Sequence, residues 1–271
     1  MPQFHFIAGL PRAGSTLLAA LLSQNPRLSA RMTSPVGSMV SAMLKSMSAE
    51  NEGAVFIDDA ARERVLRGIV ENYYAAAPQP LVFDTNRLWT TRLALIARLF
   101  PAARVIVCVR NPAWVIDSIE SLVRQNPLLP SGIFGHDPGG TVYSRVEGLV
   151  AAAGMVGFAM NGIREAVFSA ERQRLLLLRY ESLVADPRRA LAAIYDAIGE
   201  APFDHDLEAI PQDEQALAFD ARLGTPGLHR VAPRLAARSR PTLLPPDLFQ
   251  THSKTGFWDN IGGLPKDVKI V

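Results

Sequence analysis

Residues 4–18 have the sequence FHFIAGLPRAGSTLL, an apolar strand that passes through a glycine-containing turn into a helix. The turn has nearly the spacing of the phosphate-binding loop G-x-x-x-x-G-K-[ST], with both glycines and the final threonine in register. Ser15 occupies the lysine position, and Arg12 supplies a cation from within the loop instead. Backbone N–H groups and the helix dipole favour an anion at such a helix start. The loop therefore predicts a phosphate site without the γ-phosphate and Mg²⁺ equipment of P-loop phosphoryl transfer.

A second unit ends at the same edge of the predicted sheet. Residues 104–110 have the sequence RVIVCVR, which is typical of a fully buried parallel strand. Pro112 then begins a helix, so that Arg110 ends the strand and Ser118 lies about two turns into the helix. An arginine and a hydroxyl group that converge there can hold a second phosphate.

With both units in one chain, the sequence resembles the sulfotransferases that use 3′-phosphoadenosine-5′-phosphosulfate (PAPS). In that family a loop such as GLPRAGST binds the 5′-phosphosulfate, and an R-N-P-x5-S unit binds the 3′-phosphate. A third family signature, a strand that ends in R-Y-E-x-L-x-x-D-P, is present at residues 179–187. The three motifs occur in the family order from the start of the chain to about residue 187. The chain is most similar to bacterial sulfotransferases related to the tyrosylprotein sulfotransferases.

The resemblance implies a PAPS-dependent enzyme that releases adenosine 3′,5′-bisphosphate, uses no metal and acts on an acceptor with a hydroxyl group. It implies cofactor-binding roles for Pro11, Arg12, Ala13, Gly14, Ser15, Thr16, Arg110, Ser118 and Tyr180. The acceptor stays open between a peptide tyrosine and a sugar, lipid or small-metabolite hydroxyl, because variable loops on a common fold form acceptor sites. We expect residues 31–48 and 126–143 to form that site.

Sulfuryl transfer needs a cation where negative charge grows on the leaving oxygen, by analogy with phosphoryl transfer. Arg12 is the strongest candidate. Arg87 is a second candidate, because it closes the sequence FDTNR at residues 83–87, where a strand ends at the same sheet edge.

The general base for the acceptor hydroxyl does not follow from the resemblance. Tyrosylprotein sulfotransferases have a glutamate about twenty residues after the loop arginine, but Thr33 lies there, with no carboxylate in RMTSP at residues 31–35. Cytosolic sulfotransferases have a Lys-x-His element where this chain has residues 84–87.

Two residues of this chain are candidates for the base. Asp84 is the first, because it ends a strand beside the expected sulfonate site; an ion pair with Arg87 or Arg92 is the competing interpretation. His229 is the second, because it lies where the tail of the tyrosylprotein enzymes approaches the active site and its ordinary pKa suits proton transfer.

The 271 residues are enough for a single α/β domain, with about residues 200–271 as a C-terminal extension. Strands that alternate with helices predict a P-loop-like three-layer fold whose mostly parallel sheet holds its ligand at the strand C-termini. The extension is rich in Pro and Gly at residues 223–231 and 240–247, so we expect a lid over the cleft. The predicted strands are 4–10, 81–84, 104–110 and 174–180, and the predicted helices are 15–23, 36–48, 60–77, 90–100, 112–123, a long one ending near 170, and 187–198.

Composition favours a cytoplasmic enzyme without nucleic-acid or membrane partners. The net charge is only +2, and the longest uncharged stretch, residues 148–163, is shorter than a membrane span and predicts a buried helix. No targeting signal is expected at the N-terminus, and the one cysteine, Cys108, excludes an intrachain disulfide. No metal is expected, because His5, His136, His205 and His252 lack ligand spacing.

Two other classes fit parts of this pattern. A nucleotide kinase would explain the glycine loop, although it should use a lysine at position 15 and Mg²⁺. A non-catalytic nucleotide-binding protein would explain both the phosphate sites and the absence of a family base. The oligomeric state is not predicted.

Overall fold

The computed structural model describes residues 2–128, 140–235 and 240–271. Within these ranges six parallel strands form one sheet in the order β2-β3-β1-β4-β5-β6. The strands are β1 (Gln3–Gly9), β2 (Leu28–Ala30), β3 (Leu81–Thr85), β4 (Val105–Val109), β5 (Leu175–Arg179) and β6 (Lys269–Ile270). Flanking helices complete the α/β architecture, so the predicted fold class is confirmed.

The helices follow the alternating pattern of the sequence. They are α1 (Ser15–Leu22), α2 (Val36–Ser46), α3 (Asp59–Tyr73), α4 (Leu93–Leu99), α5 (Pro112–Gln125), α6 (Val142–Val150), α7 (Met155–Val167), α8 (Tyr180–Ala185), α9 (Pro187–Ile198), α10 (Glu214–Arg222) and α11 (Pro246–Ser253). Short 3-10 helices lie at Glu52–Phe56, Arg87–Arg92, Arg172–Arg174, Phe257–Asp259 and Ile261–Gly263.

The sheet is buried on both faces, which explains the continuous apolar runs of its strands. All five residues of β3 and of β4 are buried, as are the last six of β1. The chain leaves β1 for one edge of the sheet, returns through β3, and then crosses to β4 on the other side of β1. The ends of β1, β3 and β4 are therefore neighbours at a switch in strand order, where open α/β sheets bind ligands.

Several predicted element boundaries are wrong. The helix predicted at 60–77 ends at Tyr73, and the one predicted at 90–100 is a 3-10 helix followed by α4. The long helix predicted before residue 170 is two helices, α6 and α7. A Cβ atom on Gly154 would lie 2.1 Å from the Gly148 carbonyl oxygen, so glycine permits the tight turn between them.

An 18-residue window within Val142–Val167 has a mean hydropathy of 1.5, so this stretch could cross a bilayer by length and composition alone. The break between α6 and α7 divides it, and α7 packs against β1 and the 3-10 helix Arg87–Arg92. Seven α7 residues are buried, from Val156 to Val167. We therefore interpret α7 as a core helix. The buried helix predicted at residues 148–163 is correct only from Met155 onward, because residues 151–153 form an exposed turn.

The C-terminal extension contains regular elements that the sequence analysis did not predict. These are α10, α11 and β6, which adds to the sheet beside β5. Val271 donates its N–H to the Leu177 carbonyl at 2.9 Å, and Arg179 donates its N–H to the Val271 carbonyl at 2.8 Å. Most of the predicted loop at 126–141, and with it most of the expected acceptor segment 126–143, lies outside the described residues.

Candidate functional site

A cleft of about 1080 Å³ opens at the C-terminal ends of β1, β3 and β4. Its walls are the glycine loop, residues 85–87, one face of α5, the start of α8, and the C-terminal extension from Gly227 to Leu235 with Arg240. Residues 227–235 and Arg240 of the extension therefore form one wall of the cleft. Whether the extension moves as a lid stays a prediction.

The glycine loop is built for close approach to an anion. Gly14 has φ +94°, and a Cβ atom there would lie 2.9 Å from the Tyr180 ring. The helix α1 begins directly after it, with neither a side-chain cap nor an acidic residue in its first turn. Five of the six predicted loop residues line the cleft, namely Pro11, Arg12, Gly14, Ser15 and Thr16. The sixth, Ala13, has a buried side chain, so only its backbone faces a ligand.

Arg12 lies between the two expected phosphate sites. Its backbone has φ +58°, a left-handed conformation that is uncommon for a residue with a side chain. The guanidinium donates through Nε to Ser118 Oγ at 3.1 Å and through Nη1 to the Leu228 carbonyl. Burial, with a smaller contribution from the charge of Arg110, lowers the pKa of Arg12 to about 10. Arg12 therefore remains a cation at neutral pH, and its guanidinium joins the glycine loop to Ser118 of α5.

Arg110 lies on the other side of the loop. Its guanidinium stacks on the Tyr180 ring with 4.3 Å between the guanidinium carbon and the ring centroid. Nη1 donates to the Arg12 carbonyl at 3.1 Å, whereas buried Nε has no hydrogen-bond partner in the described structure. A buried donor without a partner is rare in native proteins. An anionic ligand would supply the missing hydrogen-bond acceptor.

Arg87 and Thr85 continue the cleft past the end of β3. Arg87 is exposed and makes no side-chain hydrogen bond or ion pair with any described residue. The hydroxyl oxygen of Thr85 is buried and lacks a partner in the same ranges. Arg87 is therefore free to contact a ligand, and the Thr85 hydroxyl is a buried group at the same wall that has no hydrogen-bond partner in the described ranges.

Asp84 does not reach the cleft, which corrects its proposed role as the base. Its carboxylate is fully buried in the core of the protein. It accepts hydrogen bonds from Tyr74 Oη at 2.6 Å, Trp89 Nε1 at 2.6 Å and Ser34 Oγ. The competing ion pair with Arg87 or Arg92 is also absent from the described contacts. Burial raises the pKa of Asp84, and the three donors oppose that shift. Asp84 is a buried structural carboxylate.

His229 does line the cleft, and the structure gives it a partner that the sequence analysis missed. Its Nδ1 lies 2.5 Å from Asp220 Oδ1, and its backbone N–H donates to Asp220 Oδ2 at 2.7 Å. The ring retains 19% exposure, whereas the Asp220 side chain is completely buried. Burial lowers the pKa of His229 although Asp220 raises it, and the charges of Arg12 and Arg87 lower it further. The ring is therefore neutral at physiological pH and close to both cations.

Arg240 and Trp114 are further cleft residues that the sequence analysis did not assign. The Arg240 guanidinium lies 5.4 Å from the centre of the Trp114 ring and pairs with the buried carboxylate of Asp117. The sequence carried no signal for this contact, because residues 117 and 240 meet only after the extension folds back over α5.

The site thus defines a class of protein: an α/β protein with a cleft at the strand C-termini, whose glycine loop has an arginine and lacks the NTPase lysine. A sequence profile of the sulfotransferase family matches residues 5–205. Since this match covers most of the chain, the chain belongs to the sulfotransferase family, and the resemblance inferred from the motifs is confirmed.

Two curated relatives illustrate the distance within the family. Nodulation protein NoeE of Sinorhizobium fredii is 26% identical over 233 residues, which cover 79% of this chain and 54% of that protein. Protein-tyrosine sulfotransferase 2 of Gallus gallus is 25% identical over 280 residues, which cover 97% of this chain and 64% of that protein. The chain therefore spans less than two thirds of either relative.

Solved structures share the fold. The sulfotransferase domain from the curacin biosynthetic pathway superimposes with a TM-score of 0.51 at 22% identity, covering 79% of this chain and 80% of that domain. The sulfotransferase domain of the Synechococcus PCC 7002 olefin synthase gives a TM-score of 0.50 at 21% identity and covers 94% of each chain. At these identities the likeness concerns the fold alone.

Proposed function

We propose that this protein transfers a sulfuryl group from PAPS to the hydroxyl group of an acceptor. The observation that carries the proposal is the convergence of Arg12, Arg87 and His229 in one cleft, next to a phosphate loop without the NTPase lysine. Membership of the sulfotransferase family supports the same activity.

The groups in the cleft fit the charges of PAPS. The backbone of the glycine loop and the start of α1 suit the 5′-phosphosulfate. The unpartnered Nε of Arg110 and the Ser118 hydroxyl suit the 3′-phosphate, with Arg240 a further cation at the same wall. The donor would supply an activated sulfuryl group with a phosphate as its leaving group.

The residues of the chain then have separate tasks. Nε2 of the neutral His229 ring takes the proton of the acceptor hydroxyl as the new O–S bond forms. The S–O bond to the phosphate breaks at the same stage, and its electron pair leaves on the phosphate oxygen. Arg12 and Arg87 are the cations that stabilise this growing charge.

We propose a hydroxyl-bearing acceptor of either peptide or small-molecule type. The name of the Gallus gallus relative suggests a peptide tyrosine as one candidate. Met32 and Thr33 belong to the segment 31–48 expected to form the acceptor site, and they line the cleft together with Met155. The two methionine side chains suit an aromatic or aliphatic carrier of the hydroxyl.

The test is transfer of radiolabel from [35S]PAPS to a panel of tyrosine peptides, simple phenols, glycans and lipids, with release of adenosine 3′,5′-bisphosphate measured in parallel. We expect labelled product with at least one acceptor, and its loss in Arg87→Gln. Arg98→Gln is the matched control, because Arg98 pairs with Glu63 on the surface and does not line the cleft. Phosphoryl transfer from Mg-ATP without any sulfate transfer would support the kinase alternative instead.

The non-catalytic alternative makes a different forecast in the same assay. Tight binding of adenosine 3′,5′-bisphosphate with no transfer to any acceptor, and no PAPS breakdown, would support a binding protein. The His229→Gln variant would then behave like the wild type in every measurement.

A further inference from the structure

Asp220 is a buried carboxylate whose two oxygens both accept hydrogen bonds from one residue. Oδ2 accepts the backbone N–H of His229, and Oδ1 contacts the ring at Nδ1. No other residue in the described ranges donates to this carboxylate. A buried charge is costly unless it is paired and hydrogen-bonded, so a fully buried aspartate committed to one histidine needs explanation.

Two successive turns of the chain bring Asp220 and His229 together. Asp220 lies in the last turn of α10, and Gly224 with φ +68° then reverses the chain. The Thr225 N–H closes this reversal on the Asp220 carbonyl at 3.0 Å, and Gly227 with φ +84° makes a second turn. The chain returns over the helix, so that His229 contacts Asp220 and also lines the cleft.

Contact with a carboxylate oxygen that acts as the acceptor decides which nitrogen carries the proton of the neutral ring. Nδ1 must donate to Asp220 Oδ1, so Nε2 keeps its lone pair. A base that takes a proton from a hydroxyl needs such a lone pair, and the carboxylate also stabilises the imidazolium that forms.

We propose that Asp220 is the positioning residue that holds His229 in its Nδ1–H tautomer, with Nε2 directed at the acceptor hydroxyl. The proposal rests on the proposed function, in which His229 is the base. Asp220 acts through the ring, because its own side chain is completely buried and does not line the cleft.

The charged groups around His229 predict how the variant behaves with pH. Asp220 faces the ring from α10, Arg12 from the glycine loop and Arg87 from the 3-10 helix. The carboxylate raises the pKa of His229 and both arginines lower it. Asp220→Asn should therefore move the acidic limb of the kcat/KM profile to lower pH, because a less basic ring loses its proton earlier.

The first measurement is steady-state kinetics of Asp220→Asn. An amide can donate to Nδ1 and so favour the opposite tautomer, which leaves no lone pair on Nε2. We expect kcat to fall about tenfold or more, with the KM for PAPS within about threefold. Asp213→Asn is the matched control, because Asp213 caps the same helix, carries the same charge and does not line the cleft. A kcat of Asp220→Asn within about threefold of wild type would overturn the proposal.

The second measurement is made on the wild-type protein, and a variant serves only to assign the signals. In the ¹⁵N spectrum of the wild-type protein, the His229 signals, assigned by their loss in His229→Gln, should show a protonated Nδ1 and an unprotonated Nε2. A ring protonated on Nε2 would overturn the proposal. If the wild type transferred no sulfuryl group but showed the Nδ1–H tautomer, the proposed function would fail while the positioning of the ring by Asp220 would stand.

Discussion

Arg12 occupies the most informative position in the cleft. It contacts Ser118 Oγ and the Leu228 carbonyl, and it is close enough to His229 to lower the pKa of that ring. A cation that is free to exchange neutral partners for a growing negative charge stabilises a transition state more than a ground state.

The Arg12→Ala variant should therefore lose turnover more than binding. We expect kcat to fall by about 10² to 10³, which corresponds to about 2.7 to 4 kcal/mol for one such contact. Affinity for adenosine 3′,5′-bisphosphate, measured by calorimetry, should fall less. Arg12→Lys keeps the positive charge, so its kcat should lie between those of the wild type and of Arg12→Ala. A kcat for Arg12→Ala within about threefold of wild type would show that another group is the catalytic cation.

Arg110 should account for recognition of the 3′-phosphate, the group that separates PAPS from adenosine 5′-phosphosulfate. Arg110→Ala should weaken adenosine 3′,5′-bisphosphate by about 1.5 to 3 kcal/mol, the value of a hydrogen bond to a charged group. Binding of adenosine 5′-monophosphate should hardly change, and Ser118→Ala should cost less because it removes a neutral donor. Calorimetry with both nucleotides measures the difference.

Arg188→Ala is the control for this experiment, since Arg188 pairs with Asp204 on the surface. Equal weakening of the two nucleotides by Arg110→Ala would place the arginine at the 5′-phosphate or at the strand end instead.

At the scale of the element, strand alternation explains the outcome for Asp84. Successive side chains of a strand point to opposite faces, so Asp84 and Thr85 cannot both face the cleft. Thr85 lines it and Asp84 joins Tyr74 and Trp89 in the core. The sequence located the end of β3 correctly to within one residue, but it did not say on which side the carboxylate lies.

The turn before α1 also depends on a close contact. Gly14→Ala would introduce a side chain at φ +94° with its Cβ 2.9 Å from the Tyr180 ring. We expect a loss of about 1 to 2 kcal/mol in the free energy of unfolding, the cost of a left-handed conformation. Binding of adenosine 3′,5′-bisphosphate should also weaken, because Tyr180 supports Arg110. Urea unfolding and calorimetry measure the two effects.

Gly53→Ala is the matched control, because its φ is not in the left-handed region and its Cβ would meet nothing within 4 Å. Its unfolding free energy should stay within about 0.5 kcal/mol of wild type. Equal behaviour of the two variants would contradict the role given to the loop geometry.

At the scale of the whole molecule, local signals predicted the parallel sheet and the two phosphate-binding units. The glycine loop and the Arg110–Ser118 unit are each contained in a short stretch, so the sequence shows them directly. Asp220 and His229 are nine positions apart, a spacing with neither helical nor strand period, and they meet only because the chain reverses at Gly224. The two-residue strand β6 is too short to carry a periodic signal.

The extension is fastened to the body of the molecule through a buried carboxylate. Asp117 accepts hydrogen bonds from Thr242 Oγ1 at 2.8 Å, from the Leu243 N–H at 2.6 Å and from Arg240. Asp117→Asn should weaken the pairing with Arg240 and lower the free energy of local opening of the extension by about 1 kcal/mol. The opened fraction, and with it the rate of tryptic cleavage between residues 222 and 240, should then rise roughly fivefold. Adenosine 3′,5′-bisphosphate should reduce cleavage there in the wild type.

Asp204→Asn removes an exposed carboxylate of the same charge and should leave the cleavage rate unchanged. Cleavage at equal rates with and without the nucleotide would argue against a lid.

The pairing of β6 with β5 fixes the C-terminal end of the extension to the sheet. The described residues that line the cleft are anchored next to α10 by the contact of His229 with Asp220, and residues 240–243 are anchored by Asp117, so the extension is attached on both sides of the cleft. A segment that is attached at both ends explores far fewer conformations than a segment with one free end. Its closing over the cleft is therefore a unimolecular step. Nucleotide exchange should therefore require the local release of one of these attachments. The rate of that release does not depend on protein concentration, and it would limit how fast the nucleotide dissociates from the cleft.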